Sequence, residues 1–146
     1  MADFKIMNET VERNPEMEAK IRDRLINGFS NWNGGYDCWL EWCNTLYQPD
    51  AHYNLQMMGD FRRLTLQQYK DLMGEFFKHF SMDLLDFDNM LVIGNWCAIR
   101  YKTKCTNLAT GAVDITPTME FVKFSDDGEY GARVIEGWAI SAKALG

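Results

Sequence analysis

Four runs of strand-like sequence fill the second half of the chain, and they limit the folds open to it. They read LLDFDNMLVI (84–93), WCAIRYKTKC (96–105), TPTMEFVKF (116–124) and EYGARVIEGWAIS (129–141). Gly94-Asn95, Thr110-Gly111 and Asp126-Asp127-Gly128 separate them, each a signal for a short turn. Successive side chains of a strand point to opposite faces, and strands joined by tight turns pair antiparallel. The expectation is a four-stranded antiparallel meander whose apolar face needs a cover.

The first half supplies that cover. Pro15 suits the first turn of a helix. Met17, Ile21 and Leu25 then recur every four residues as a helical stripe. Asn33-Gly34-Gly35 breaks the chain, and a second helix carries Trp39, Trp42/Cys43 and Leu46 on one face until Pro49 ends it. DAHYNLQMM (50–58) alternates Ala51, Tyr53, Leu55 and Met57 against His52, Asn54 and Gln56, the pattern of a strand with one face inward. Thr65 and Gln68 form a capping-box pattern before a third helix, with Leu66, Tyr69, Leu72/Met73, Phe76 and Phe80 on one face. Residues 1–14 read as a flexible lead-in and 15–146 as a single domain. The fold class that satisfies this order is α+β: a cone-shaped, curved antiparallel sheet with three helices packed on its concave face. The mouth of such a cone makes a pocket.

Composition narrows the function. With 47% apolar and 14% aromatic residues in 146, there is material for a core and a surplus to line a pocket. A net charge of −6, with no basic run longer than Arg62-Arg63, argues against nucleic acid and anionic membrane surfaces as partners. No stretch approaches a membrane span, and the polar, acidic N-terminus has no apolar signal core, so the cytoplasm is the expected location. Cys38, Cys43, Cys97 and Cys105 form no CxxC pair, and neither His52 nor His79 has a spaced carboxylate or cysteine partner, so no metal site is expected. No G-x-S-x-G or phosphate-binding glycine loop occurs.

The candidate chemistry lies on the strands. Alternation groups Thr116, Thr118, Glu120, Val122 and Phe124 on one side of their strand, and Glu136, Trp138 and Ile140 on one side of the last. A carboxyl group on a central strand is desolvated, and desolvation favours its neutral, proton-donating form. One reading has Glu120 and Glu136 facing one pocket, with acid and base roles split by environment. The other has them solvated or paired with Arg100, Lys102 or Arg133. Tyr53 points inward with Ala51 and Leu55, and Tyr101 shares a face with Ile99, Thr103 and Cys105. Each phenol needs a partner, from a ligand or from backbone. Trp39, Trp42 and Trp138 form either an aromatic wall for a flat ligand or part of the core.

Four landmarks carry a resemblance: YQPDAHYN (47–54), the region of Pro117, the FSDDGE hairpin (124–129) and Glu136-Gly137-Trp138. Their order resembles the nuclear transport factor 2-like superfamily, and within it the SnoaL-like group. The resemblance implies an apolar cone pocket, a homodimer packed through the sheet, and catalysis without metal or organic cofactor. It spans ketosteroid isomerases, scytalone dehydratase, limonene-epoxide hydrolase and polyketide cyclases, together with plain binding modules. Carried over residue by residue, the isomerase base falls on Leu55, while its oxyanion-stabilising acid falls on Glu120. The epoxide hydrolase's inward tyrosine falls on Tyr53, but its arginine–aspartate pair meets Arg100 and Lys102, and its last aspartate meets Ile140. The aspartate that cyclases carry after the tryptophan is missing from residues 139–142, and their histidine gives way to Thr106-Asn107. The functional expectation is cofactor-independent acid/base chemistry of the lyase or isomerase type on a small, largely apolar carbonyl or polycyclic compound. Glu120, Tyr53 and Glu136 would be catalytic, and Trp39, Trp42, Leu55, Tyr101, Thr118 and Trp138 would bind the substrate. The alternative is a non-catalytic module of the same fold that binds an apolar ligand or a protein partner.

Overall fold

A computed structural model describes residues 11–30, 35–57, 60–125 and 131–141. Its elements are α1 (Pro15–Ser30), α2 (Tyr36–Leu46), β1 (Tyr47–Met57), β2 (Asp60–Thr65), α3 (Leu66–His79), β3 (Phe80–Ile93), β4 (Trp96–Asn107), β5 (Val113–Phe124) and β6 (Val134–Ser141).

Local signals set the helix ends. The Asn14 side chain accepts from the Met17 N–H at 3.1 Å, and Pro15 takes the first helical position, where its missing N–H costs nothing. Thr65 and Gln68 close the expected capping box, each side chain accepting from the other's backbone N–H at 3.1 and 3.0 Å. Two boundaries move. α2 ends at Leu46 and Pro49 lies inside β1, while Phe80 turns extended and opens β3 instead of closing the helix.

The six strands form one curved, unclosed sheet in the order β2-β1-β6-β5-β4-β3. The meander β3-β4-β5-β6 is antiparallel throughout. Gly94 and Asn95 make its first turn as expected; the Asp126-Asp127-Gly128 turn lies outside the described residues. Two features correct the expectation. β1 pairs with β6 in parallel, so the sheet is mixed. A parallel neighbour needs a long crossover, here supplied by β2, α3 and β3–β5 together. The second correction is β2, which sequence periodicity misses. Asp60, Arg62 and Arg63 interrupt its apolar pattern, and such charges are a usual feature of an edge strand, where they deter pairing with another chain. Irregular register in β3, between Leu84 and Asp86 and again between Phe87 and Asn89, bends the opposite edge.

Helices cover one face of the sheet. Along β4, Cys97, Ile99, Tyr101 and Thr103 are buried, and along β5 Thr116, Thr118, Glu120, Val122 and Phe124. Against them pack Ile21, Leu25 and Phe29 of α1, Trp39, Trp42 and Cys43 of α2, and Leu66 and Tyr69 of α3. The other face stays open.

Glu18 ties α1 to the sheet. It pairs with Arg13 through two bonds of 2.6 and 2.9 Å and accepts from the backbone N–H of Asn14 and of Gly94, at 2.9 and 3.0 Å. Gly94 has φ +58, and a Cβ there would sit 2.6 Å from the Glu12 carbonyl oxygen, so only glycine lets the β3–β4 turn come this close. The hydrogen bonds, Arg13's first among them, hold the Glu18 carboxyl down at about 2. Stability from a depressed carboxyl is present above the ordinary carboxylate range and lost as pH falls through the folded value. Glu18→Gln is therefore expected to unfold at lower urea than the parent near neutral pH, with the gap narrowing as the solution is acidified toward about pH 2. A gap that does not change with pH would refute this role.

Candidate functional site

Glu120 sits near the middle of β5, under the helices. Its neighbours Met119 and Phe121 face the open side, while Glu120 itself is buried. Strand register explains which side chains reach it. Tyr101 of β4 lies opposite Thr118, one step diagonal from Glu120. Tyr53 comes from β1, with β6 lying between it and β5. It can cross β6 because the inward residues there are small: Gly137 is paired with Tyr53, and Ala139 with Glu120. A Cβ on Gly137 would stand 3.4 Å from the Tyr53 ring.

The result is a carboxyl group with two phenols on one oxygen. Tyr53 and Tyr101 both donate to Glu120 Oε1, at 3.0 and 2.9 Å. Among the described residues no group hydrogen-bonds Oε2. Tyr69 of α3 stacks on Tyr53 with ring centroids 3.9 Å apart and planes 5° from parallel, which fixes the phenol's plane. Desolvation pushes the Glu120 carboxyl above the ordinary range, and the two phenol hydrogen bonds pull the other way without cancelling it. Burial first, and then the nearby Glu120 charge, push the phenols of Tyr53 and Tyr101 well above theirs, so both stay neutral donors.

These groups line a cavity of about 270 Å³ that is open on one side. Of the residues expected from sequence, Glu120, Tyr53, Tyr101, Leu55, Thr118, Trp39 and Trp42 all line it. Glu136 and Trp138 do not. They share a face, as alternation requires, but it is the open face; the inward residues of β6 are Gly137, Ala139 and Ser141. The expectation that Glu120 and Glu136 share a pocket is corrected accordingly. Glu136 takes a forked ion pair from Arg63, at 2.8 and 3.1 Å, and a hydrogen bond from Asn54 at 3.0 Å. Part-burial alone would raise its carboxyl, but Arg63 and Asn54 together lower it. Trp138 stacks on Trp96 at 6.0 Å.

Sequence reasoning missed Tyr69, Met82, Thr103 and Thr116 as cavity residues. Tyr69 stood only as one member of a helical stripe, and nothing in spacing announces a stack between a helix and a strand. Burial pushes the thiols of Cys43 and Cys97 up to about 12, which leaves neither reactive. Among the described residues no cluster of three histidine, cysteine or carboxylate side chains is placed to hold a metal ion. No described helix is long and apolar enough to cross a membrane.

No protein-family model and no curated protein matches the sequence. Solved structures do match. IdmH from Streptomyces antibioticus, a candidate polyketide cyclase, superimposes with a TM-score of 0.68 at 17% identity, over 85% of this chain and 93% of its own. A SnoaL-like polyketide cyclase from Agrobacterium tumefaciens gives 0.63 at 15%, over 86% and 94%. A protein of ketosteroid isomerase-like fold from Catenulispora acidiphila, solved with trimethylamine, gives 0.60 at 11%, over 81% and 84%. The chain therefore shares the fold of these proteins, the cone-like nuclear transport factor 2-like fold. Chemistry must be argued from its own residues, since this fold hosts many.

A raised carboxyl pKa has a thermodynamic signature. Folded Glu120 keeps its proton past the pH at which the unfolded chain releases it, so its contribution to stability is full at low pH and falls as pH rises through the folded value. Glu120→Gln cannot ionise. Urea unfolding between about pH 4 and about pH 9 should show the variant gaining on the parent as pH rises. Parallel pH curves for the two proteins would contradict the raised value.

Proposed function

We propose that this protein is a cofactor-independent acid/base enzyme that acts on a small, largely apolar carbonyl compound in the cavity. The observation that carries the reading is the Glu120 carboxyl, desolvated, with both phenols on Oε1 and Oε2 left for a ligand. In its neutral form the group donates from Oε2 to a substrate oxygen. As the proton leaves, negative charge grows on the carboxylate, and the phenols of Tyr53 and Tyr101 are already aimed at it.

One carboxyl group can complete a proton cycle. In the dehydration of a β-hydroxy ketone, Glu120 gives its proton to the hydroxyl as the C–O bond breaks. The resulting carboxylate takes the proton from the carbon next to the carbonyl, so the group ends protonated and water leaves. Isomerisation of an unsaturated ketone needs the same give and take at two carbons. Cyclisation by carbonyl addition needs a donor to the carbonyl oxygen. Glu136 has no part in this, because it does not line the cavity and is paired with Arg63.

A panel of β-hydroxy ketones, unsaturated ketones and diketones, followed by mass spectrometry and absorbance, tests the reading. Turnover by the parent should fall about 10²-fold or more in Glu120→Gln and about tenfold in Tyr53→Phe. Turnover that survives Glu120→Gln unchanged would overturn it, and ligand binding without turnover would favour a binding module.

The open face supports a homodimer. Leu91, Met119 and Phe121 are 60%, 62% and 45% exposed, contiguous with the Trp96–Trp138 stack and Phe61. An exposed apolar patch of this kind marks an interaction surface, and a two-fold axis would pair it with itself in a second copy. Sedimentation should find the parent dimeric and Met119→Asp monomeric; a monomeric parent would contradict the proposal.

A further inference from the structure

We infer that the ligand of this cavity is a one- or two-ring compound of about ten heavy atoms carrying a hydrogen-bond acceptor. Three- and four-ring skeletons exceed the space and would leave rings outside it. The acceptor rests on the acid/base reading of Glu120; the size limit rests on the cavity itself.

An apolar cavity of about 150 Å³ accommodates benzene, which is about 25 Å³ for each heavy atom of the guest. The cavity beneath the helices measures about 270 Å³, room for about ten or eleven such atoms on that scale. A two-ring ketone fills it, and a four-ring skeleton does not.

The walls that set this volume do not yield easily. Trp39 and Tyr69 are buried and meet edge to face at 5.1 Å. Tyr69 is stacked on Tyr53, and Trp39 adjoins Trp42 at 6.2 Å. Pushing any of these rings outward breaks contacts with the others, and overpacking a close-packed wall is costly. The sheet side is equally fixed, because Tyr53 and Tyr101 are tied to Glu120. The most adaptable part of the wall is the pair Met73 and Met82, half-buried lining residues with unbranched side chains. Truncating either one should therefore lengthen the space open to a ligand.

The test is calorimetric titration with cyclohexenone, α-tetralone, anthrone and a four-ring steroid enone, on the parent, Met82→Ala, Met73→Ala and Glu120→Leu. α-Tetralone should bind the parent at least about tenfold more tightly than anthrone, with no binding of the steroid. Either methionine truncation removes three heavy atoms and should bring anthrone up by about tenfold. Anthrone or the steroid binding the parent as tightly as α-tetralone overturns the size limit. If that binding also falls in Glu120→Leu, the acid reading survives alone. A preference for α-tetralone that persists undiminished in Glu120→Leu keeps the size limit and overturns the acid reading. No binding by any member overturns the inference as a whole.

Discussion

The desolvation of one carboxyl group organises this molecule. Glu120 lies on a central strand under three helices, and no described cation pairs with it. An ionised carboxylate there would carry a large solvation penalty, so the neutral form is favoured. Two phenols offset part of that penalty, and their arrival depends on the sheet. Tyr101 needs only the neighbouring antiparallel strand. Tyr53 needs β1 beside β6 in parallel, and it needs β6 to be nearly bare on its inner face. Gly137 and Ala139 meet that need. The topology, the small residues of the last strand and the pKa of Glu120 are therefore one physical problem.

The open face solves the same problem in the opposite way. Glu136 is only one strand away in the sheet, yet it meets the Arg63 guanidinium and the Asn54 amide, and its carboxyl moves down where that of Glu120 moves up. Arg63 belongs to the edge strand β2, so this pair also pins β2 and β6 on either side of β1. A split in carboxyl character is present, but it runs through the sheet and not across a pocket.

Much of this was legible from residue order. Period-two alternation placed Thr118 and Glu120 together, and likewise Tyr53 with Leu55. The T-x-x-Q pattern marked the start of α3, and the Gly94-Asn95 turn fixed the meander's first register. Alternation says which residues of a strand share a face, but it does not say which face meets the helices. For VIEGWAIS both faces are largely apolar, so Glu136 and Trp138 were assigned together and to the wrong side. Parallel pairing of β1 with β6 leaves no local mark, because it depends on where a long crossover returns the chain. The edge strand DFRRLT is disguised by the charges that suit an edge. The stack of Tyr69 on Tyr53 is a contact between distant elements, beyond the reach of periodicity.

The chemistry proposed for the cavity turns on the proton of Glu120. Carbon-13 NMR of the protein labelled at glutamate side-chain carboxyls, with the signal assigned by its loss in Glu120→Gln, reads that proton directly. The Glu120 resonance should titrate above the other glutamates and move when Tyr53 or Tyr101 is changed to phenylalanine. A Glu120 resonance that titrates with the exposed glutamates, indifferent to both tyrosines, would contradict it.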